Sequence, residues 1–315
     1  MKVDIRVSDL SRLDEVLRLP IDCVGIGSEG CPHKLPGIEA VREASKKVRA
    51  AGKSLRLITP KVPQIDFAEV IELLRQIIGE PLVDAFTFND FGVLDTLRDE
   101  LRPFSIDVGR ELIFSHDVAP GLWEDKHGDP MVFEFNVGFR EKIEFMQSLG
   151  IGGVEMNYLP RALPGTLDFL KAHRFRRSVH LVYQMIAVSR SCHVARNFHL
   201  DRNECAGRCD ELLKLEVNQM IHMHNQTSDQ RYSEPDEFNR VLPFYVQGNI
   251  VFIKQPVISL EPLFNLDIET VILNDAGLRW SELNEWVLLL KGGGHSASHE
   301  GEGACALVGC SKTDY

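Results

Sequence analysis

The sequence alternates short β-branched runs with amphipathic helical segments, and this alternation constrains the fold more than any other feature. In one unit, residues 54–59 read as a strand, and Asp66 with Glu69 resembles a helix start before apolar residues on one helical face. Further units pair strands with helices near 21–26 and 38–51, 83–88 and 92–101, 132–136 and 139–149, 153–156 and 163–172, and 270–273 and 279–290. Repeated strand–helix units predict a parallel sheet.

The number of units decides between two parallel-sheet architectures. A doubly wound sheet and a closed barrel both satisfy the alternation, but about eight units fit a barrel better. A chain of 315 residues accommodates one barrel of about 250 residues with extensions. Gly-Ile-Gly-Ser-Glu-Gly at 25–30 is only a loose approach to a dinucleotide-binding motif. We therefore predict an α/β fold, a TIM-like (β/α) barrel, complete or incomplete, with a cysteine-bearing insertion.

Charge and hydropathy narrow the classes of function. A net charge of −11 disfavours wholesale binding of nucleic acid, although a local basic patch is compatible with it. No segment approaches the ~20 consecutive apolar residues of a membrane span, and the N-terminus does not resemble a secretory signal. We expect a cytoplasmic protein. Its seven cysteines then read as metal ligands, catalytic thiols or buried side chains, because disulfides are rare in a reducing compartment.

Two stretches interrupt the alternation. Residues 186–248 hold three cysteines, four of the eleven histidines and many polar residues, and we interpret them as a cluster-binding segment inside a barrel domain of 1–291. From residue 292 onward the composition is rich in Gly, Ser, His and Glu, which cannot bury enough apolar surface to become ordered. We predict a flexible tail over 292–315.

Three cysteines in the polar insertion form the strongest chemical signal. Cys192, Cys205 and Cys209 follow the pattern Cys-x12-Cys-x3-Cys, whereas cysteines that only fill a core sit among hydrophobic residues. Arginines at 190, 196, 202 and 208 alternate with them and would lower thiol pKa values while offsetting the charge of a thiolate-bound cluster. The same arginines also fit an ordinary charged surface. The pattern favours metal ligation.

Spacing alone leaves the metal and the fourth ligand open. Structural zinc sites favour two short Cys-x2–4-Cys pairs, whereas this sequence has only one such pair. An iron–sulfur cluster is therefore favoured over zinc and over no metal. Cys31 lies in a strand-to-helix loop, where barrel function concentrates, and Cys23 lies inside a strand. The other candidates for the fourth ligand are Cys305, Cys310, His193, His199, His222 and His224.

The sequence resembles the collagenase-like peptidase family that includes UbiU and UbiV, and it is most similar to the UbiV branch. Four motifs carry the resemblance in the same order along residues 20–290. They are Val-Gly-Ile-Gly-Ser-Glu-Gly-Cys at 24–31, Asn-Asp-Phe-Gly-Val at 89–93, Phe-Asn-Val at 135–137, and Ser-Arg-Ser-Cys at 189–192 followed by Cys205 and Cys209.

The resemblance implies a [4Fe–4S] cluster on four cysteines inside a barrel-like fold, and it selects Cys31 as the fourth ligand beside Cys192, Cys205 and Cys209. Related members support hydroxylation without molecular oxygen, with prephenate implicated as oxygen donor. UbiV acts with UbiU in anaerobic ubiquinone synthesis, which implies a paralogous UbiU-like subunit as partner in a heterodimer. Other members hydroxylate RNA bases, and peptidase activity is the older label of the family.

The sequence also departs from the family pattern. Residues 177–188 offer His180 and Tyr183 where the family has a Glu, an aromatic or His, and a Gly. The stretch 210–248 is longer than the resemblance implies and carries His222 and His224, which fit a second metal pair or alternating positions of a strand.

Three functional hypotheses follow from the sequence. The leading one is an oxygen-independent hydroxylase, or an essential subunit of one. Arg190, Arg196 and Arg208 would bind its small anionic oxygen donor, because guanidinium groups form paired hydrogen bonds with carboxylates. The second is a non-catalytic partner subunit that carries a cluster. The third is a metal-dependent hydrolase, in keeping with the peptidase label.

Overall fold

The computed structural model describes most of the barrel and part of the insertion. The described residues are 1–113, 135–160, 162–189, 192–197, 200, 205, 209, 212–215, 244–255, 258 and 260–292. The predicted tail over 292–315 lies outside these ranges except for Gly292, which ends a helix. The histidines at 222 and 224 also lie outside them, as does most of the predicted strand at 132–136.

Eight parallel strands form a closed barrel. They are β1 (Lys2–Val7), β2 (Cys23–Gly27), β3 (Ser54–Thr59), β4 (Ala85–Phe88), β5 (Ser105–Val108), β6 (Gly153–Asn157), β7 (Arg176–His180) and β12 (Thr270–Asn274). The order around the barrel is β1-β12-β7-β6-β5-β4-β3-β2, so that β1 pairs with both β2 and β12. The closed barrel confirms the predicted TIM-like α/β fold. Strands β1, β5 and β7 were not predicted from the sequence pattern.

Helices alternate with these strands. They are α1 (Leu13–Val16), α2 (Ile38–Ala50), α3 (Phe67–Gly79), α4 (Phe91–Leu97), α5 (Arg140–Ser148), α6 (Leu163–Ala172), α7 (His193–Asn197), α8 (Leu260–Asn265) and α9 (Trp280–Gly292). Helix α4 begins after Asp90, whose carboxylate accepts hydrogen bonds from the N–H groups of Gly92 and Val93. None of the described helices is both long enough and apolar enough to cross a membrane.

The two sides of each barrel strand differ in chemistry. In β1, Val3, Ile5 and Val7 belong to the apolar core that also includes helix residues such as Val41 of α2. Asp4 and Arg6 alternate with them and are also buried. Because successive side chains of a strand point to opposite faces, the apolar set packs under the helices and the charged set points into the barrel.

A second sheet stands between β7 and β12 in the chain. It is antiparallel and consists of β8 (Tyr183–Val188), β9 (Leu213–Leu215), β10 (Phe244–Gln247) and β11 (Ile250–Lys254), in the order β8-β11-β10-β9. The sequence pattern predicted an insertion here but not a sheet. Strand β8 follows β7 after two residues, of which Val182 has a φ of 72°, so the chain turns sharply from the barrel into this sheet.

Candidate functional site

Cys31 lies in the loop after β2, at the end of the barrel where the carboxyl ends of the parallel strands meet. Strand β2 ends at Gly27, which has a φ of 99°. A Cβ atom at Gly27 would lie 2.3 Å from the carbonyl oxygen of Ile58, so the turn into the Cys31 loop requires glycine. The Cys31 side chain is buried.

The β10–β11 turn ties the Cys31 loop to the insertion. The N–H of Asn249 donates a hydrogen bond to the carbonyl oxygen of Gly30 at 3.0 Å. The N–H of His193, the first residue of α7, donates to the carbonyl oxygen of Gly248 at 2.8 Å. One two-residue turn therefore holds together two segments that are distant in sequence.

This arrangement brings together four thiols, which we name the four-cysteine group. Its members are Cys31, Cys192, Cys205 and Cys209, and all four are free. Burial, followed by the charges of the other three members, raises the pKa of the Cys31 thiol to about 12, whereas the N–H of His33 opposes the shift. Burial likewise raises the pKa of Cys209, with a contribution from Cys192 and Cys205. The four thiols are close enough to influence one another electrostatically.

The other residues singled out by the sequence lie elsewhere. Cys23 lies in β2 beside Asp4 and Arg56 and does not belong to the group. Arg196 is exposed on α7. Arg190, Arg208, Cys305 and Cys310 lie outside the described residues. The proposed anion-binding role of the three insertion arginines therefore remains a prediction.

The barrel interior is strongly polar, which sequence analysis missed. Barrels of this kind are usually filled with branched apolar side chains. Here the buried charged residues that enter the interior or its mouth are Asp4, Arg6, Glu29, Asp107, Arg110, Glu155 and His180, and the partly buried Arg56 pairs with Asp4 and Asp107. The available signal was a charged residue at alternate positions of otherwise apolar strands, as in Val-Asp-Ile-Arg-Val at 3–7 and Gly-Val-Glu-Met-Asn at 153–157.

Glu155 contacts three other side chains of this polar interior. Its Oε1 accepts hydrogen bonds from Arg6 Nη2 at 2.5 Å and from Thr87 Oγ1 at 2.6 Å. Its Oε2 lies 3.0 Å from Nε2 of His180. Burial would raise the pKa of Glu155, but the charge of Arg6 and the hydrogen bond from His180 outweigh burial and hold the pKa well below its usual range. Glu155 is therefore ionised inside the barrel.

A second carboxylate, Glu29, lies at the mouth and also approaches His180. Its Oε2 accepts a hydrogen bond from Nε of Arg110 at 3.0 Å, and its Oε1 lies 3.4 Å from Nε2 of His180. The ligand atoms of Glu29, Glu155 and His180 all lie within 4.8 Å of one another. Each carboxylate already has a buried arginine, so a cation at this position would add uncompensated positive charge.

A small cleft, with room for about one or two water molecules, lies at the mouth of the barrel. It is lined by Arg6, Ser8, Gly27, Ser28, Glu29, Ile58, Gln247 and Asn274. Nε2 of Gln247 donates a hydrogen bond to the carbonyl oxygen of Cys209 at 2.9 Å, so the cleft borders the backbone of the group.

Several solved structures show limited similarity to this chain. A U32 peptidase shares 12% identity over 88% of this chain and 94% of its own, with a TM-score of 0.45. A type I 3-dehydroquinate dehydratase from Clostridium difficile shares 12% identity over 58% and 74%, with a TM-score of 0.38. The C-terminal domain of a putative chitinase from Desulfitobacterium hafniense shares 8% over 92% and 99%, with a TM-score of 0.42. No protein-family model and no curated protein matches the sequence.

Replacing Gly248 with alanine is expected to destabilise the protein. Gly248 has a φ of 61°, and an added Cβ would lie 2.1 Å from the carbonyl oxygen of Gly30 and 3.1 Å from Cβ of Cys31. The left-handed conformation alone costs about 1–2 kcal/mol for alanine, and the contact with backbone adds to it. Chemical unfolding measures the loss. Gly165→Ala in α6 is the matched control, since nothing lies within 4 Å of its added Cβ, and equal losses in the two variants would contradict the expectation.

Glu111→Gln is expected to stabilise the protein increasingly as pH rises. Burial, followed by the charge of Glu29, raises the pKa of Glu111 to about 9 from its usual 4.5. Both of its carboxylate oxygens lack a hydrogen-bond partner among the described residues. Between these pH values the folded state holds a proton that the unfolded state has lost, so stability falls as pH rises through this window. Glutamine does not titrate. Thermal melts at pH 5, 7 and 9 measure the growing difference, which should be absent for the exposed Glu144→Gln.

Proposed function

We propose that this chain binds a [4Fe–4S] cluster through the four-cysteine group and takes part in oxygen-independent hydroxylation, most like the UbiV component of anaerobic ubiquinone biosynthesis. The observation that carries the proposal is the convergence of four thiols at the mouth of the barrel. Cys31 comes from the loop after β2, whereas the other three come from the insertion after β8. Packing alone does not select cysteine at four positions from such distant segments, which supports metal ligation.

The donor set fits a thiolate-bound cluster. Cys31, Cys205 and Cys209 are buried, and the charges of the neighbouring thiolates disfavour ionisation of Cys31 and Cys209. A positively charged metal centre supplies the compensating charge that lets buried thiols ionise together. When bound, such a cluster supplies electron transfer at a potential set by its surroundings.

The width of the group favours a cluster over a single zinc ion. Tetrahedral zinc with Zn–S bonds of about 2.3 Å brings its thiolates to about 3.8 Å from one another. Among the described residues, the ligand atoms of Glu29, Glu155 and His180 lie within 4.8 Å of one another, whereas no three of the four cysteine sulfur atoms do. A cluster of four irons, with one thiolate on each iron, holds its cysteines further apart.

The first test is anaerobic purification followed by metal and sulfide analysis. We expect about four irons and four acid-labile sulfides per chain, with the broad visible absorption of a [4Fe–4S] protein. The sample is then exposed to air, which should bleach this absorption. Stoichiometric zinc without sulfide would overturn the proposed cofactor.

The second test addresses the reaction. Deleting the gene in its native host should lower hydroxylated ubiquinone precursors under anaerobic growth and leave them unchanged in air. The hydroxylation of RNA bases, measured in the same cells, tests the alternative that the family resemblance offers. Unchanged hydroxylation of both classes in a strain whose protein carries the cluster would reject the proposed reaction. Co-expression with a UbiU-like subunit shows whether the two chains purify together.

A further inference from the structure

Backbone N–H groups donate hydrogen bonds to members of the four-cysteine group. The N–H of Ala195 donates to Sγ of Cys192 at 3.3 Å. The N–H of His33, two residues after Cys31, donates to the thiol of that cysteine. A hydrogen bond of this kind favours the charged form of its acceptor, so each of these N–H groups favours negative charge on the sulfur that it contacts.

The N–H of Gly248 makes the same kind of bond to the thiol of Cys209. Separate bonds fix the donor and the acceptor. The carbonyl oxygen of Gly248 accepts a hydrogen bond from the N–H of His193 at 2.8 Å, and Nε2 of Gln247 donates to the carbonyl oxygen of Cys209 at 2.9 Å. The β10–β11 turn therefore holds this N–H group in place beside Cys209.

A positive charge lies near the same thiols. Lys34 follows Cys31 by three residues, in a single turn of 3-10 helix over Pro32–Lys34, and its N–H donates to the carbonyl oxygen of Cys31 at 3.1 Å. The charge of Lys34 opposes the rise in the pKa of the Cys209 thiol, so it favours negative charge there. The side chain of Lys34 and the three N–H groups therefore act in the same direction.

Burial of the thiols acts in the opposite direction. Cys31 is 3% exposed and Cys209 is fully buried. Reduction of a cluster held by these thiolates adds one negative charge to a site with little contact with water, and burial disfavours such a charge. The reduction potential of a cluster depends on its net charge, its exposure and the hydrogen bonds to its sulfurs. N–H donors and a nearby cation therefore offset the cost that burial imposes on the reduced state.

We propose that the N–H groups of His33, Ala195 and Gly248, together with Lys34, raise the reduction potential of the cluster by stabilising its reduced form. The inference rests on the cluster of the proposed function and adds how the chain sets its potential. The redox step is the uptake of one electron from a low-potential one-electron donor, and no bond at the cysteines is made or broken.

Ala195→Pro tests one of the three N–H groups, because proline has no N–H and is tolerated in the first turn of a helix such as α7. Potentiometric titration of the purified full chain with dithionite, followed by electron paramagnetic resonance, measures the reduction potential. We expect the ratio of reduced to oxidised cluster at a fixed potential to fall about tenfold, which corresponds to about 59 mV for one electron. Ala195→Val keeps the N–H, adds bulk and should titrate like the wild type. An Ala195→Pro protein with full iron content and the wild-type potential would overturn the proposal.

Lys34→Gln tests the contribution of the charge, and Lys34→Arg is the matched control that keeps it. The potential should fall in Lys34→Gln and stay at the wild-type value in Lys34→Arg. The fall should shrink between about 0.01 M and 1 M salt, because dissolved ions screen a charge that acts over a distance. The fall in Ala195→Pro should not change with salt, since it reflects a direct contact. Equal potentials of the two Lys34 variants at low salt would overturn the role of Lys34.

A measurement on the wild type decides the question if Ala195→Pro loses its cluster. Resonance Raman spectra compare protein assembled in H₂O with protein assembled in D₂O, because exchange of N–H for N–D shifts the Fe–S stretching bands of hydrogen-bonded thiolates. Unchanged bands would overturn the proposal. A wild type without iron and sulfide would reject the cluster itself, whereas full iron and sulfide content with unchanged bands would reject this inference alone.

Discussion

Replacing Cys209 with alanine is expected to remove the iron–sulfur cluster that we propose for this chain. Cys209 is fully buried and packs with Val194 and Val246, so solvent cannot easily replace its thiolate. Changes to the outer partners of metal ligands already weaken metal binding by about 10–100-fold, and loss of a ligand should exceed that range. Iron, sulfide and visible absorption after anaerobic purification measure the effect. We also expect a lower melting temperature, because the free energy of metal binding contributes to folding.

Cys23→Ala is the matched control for this experiment. Cys23 is also a free cysteine at the same end of the sequence as Cys31, but it lies in β2 near Asp4 and Arg56. Its replacement should leave the iron and sulfide content unchanged. If Cys23→Ala loses the cluster while Cys209→Ala keeps it, the assignment of the ligands is wrong. Cys31→Ala tests the one ligand that the family resemblance selected.

Glu155→Ala is expected to cost about 3–5 kcal/mol of the free energy of unfolding, since removing one partner of a buried ion pair leaves the other charge uncompensated. Glu155 is fully buried and accepts hydrogen bonds from Arg6 and Thr87. Urea unfolding at neutral pH measures the loss. The exposed pair of Arg140 and Glu144 supplies the comparison, because Glu144→Ala should cost about 0.5 kcal/mol or less.

The low pKa of Glu155 predicts how the free energy of unfolding depends on pH. The pKa of Glu155 is lower in the folded state than in the unfolded state. Its stabilisation is therefore fully present above the unfolded pKa of about 4.5 and is lost as pH falls below it. The wild-type protein should lose stability more steeply than Glu155→Gln between about pH 5 and pH 3. Parallel pH profiles of the two proteins would show that the Glu155 carboxylate does not titrate in this way.

The sequence by itself determined the barrel class. The apolar periodicity of α2, α3, α5 and α6 predicted helices within a few residues of their observed bounds, because a helix must bury one face against the sheet. The strands β1, β5 and β7 were missed, since charged residues such as Asp4 and Asp107 interrupt the apolar pattern by which a buried strand is recognised. Those residues turned out to build the polar interior.

The sequence also determined three members of the four-cysteine group, because Cys192, Cys205 and Cys209 lie in one polar segment. Tertiary structure alone decided the rest. Cys31 meets them because the β10–β11 turn hydrogen-bonds to the loop after β2. The ion pair of Arg6 and Glu155 joins residues 149 apart in sequence. No local pattern encodes such pairs, since they depend on which strands become neighbours when the barrel closes and on which side chains then share its interior.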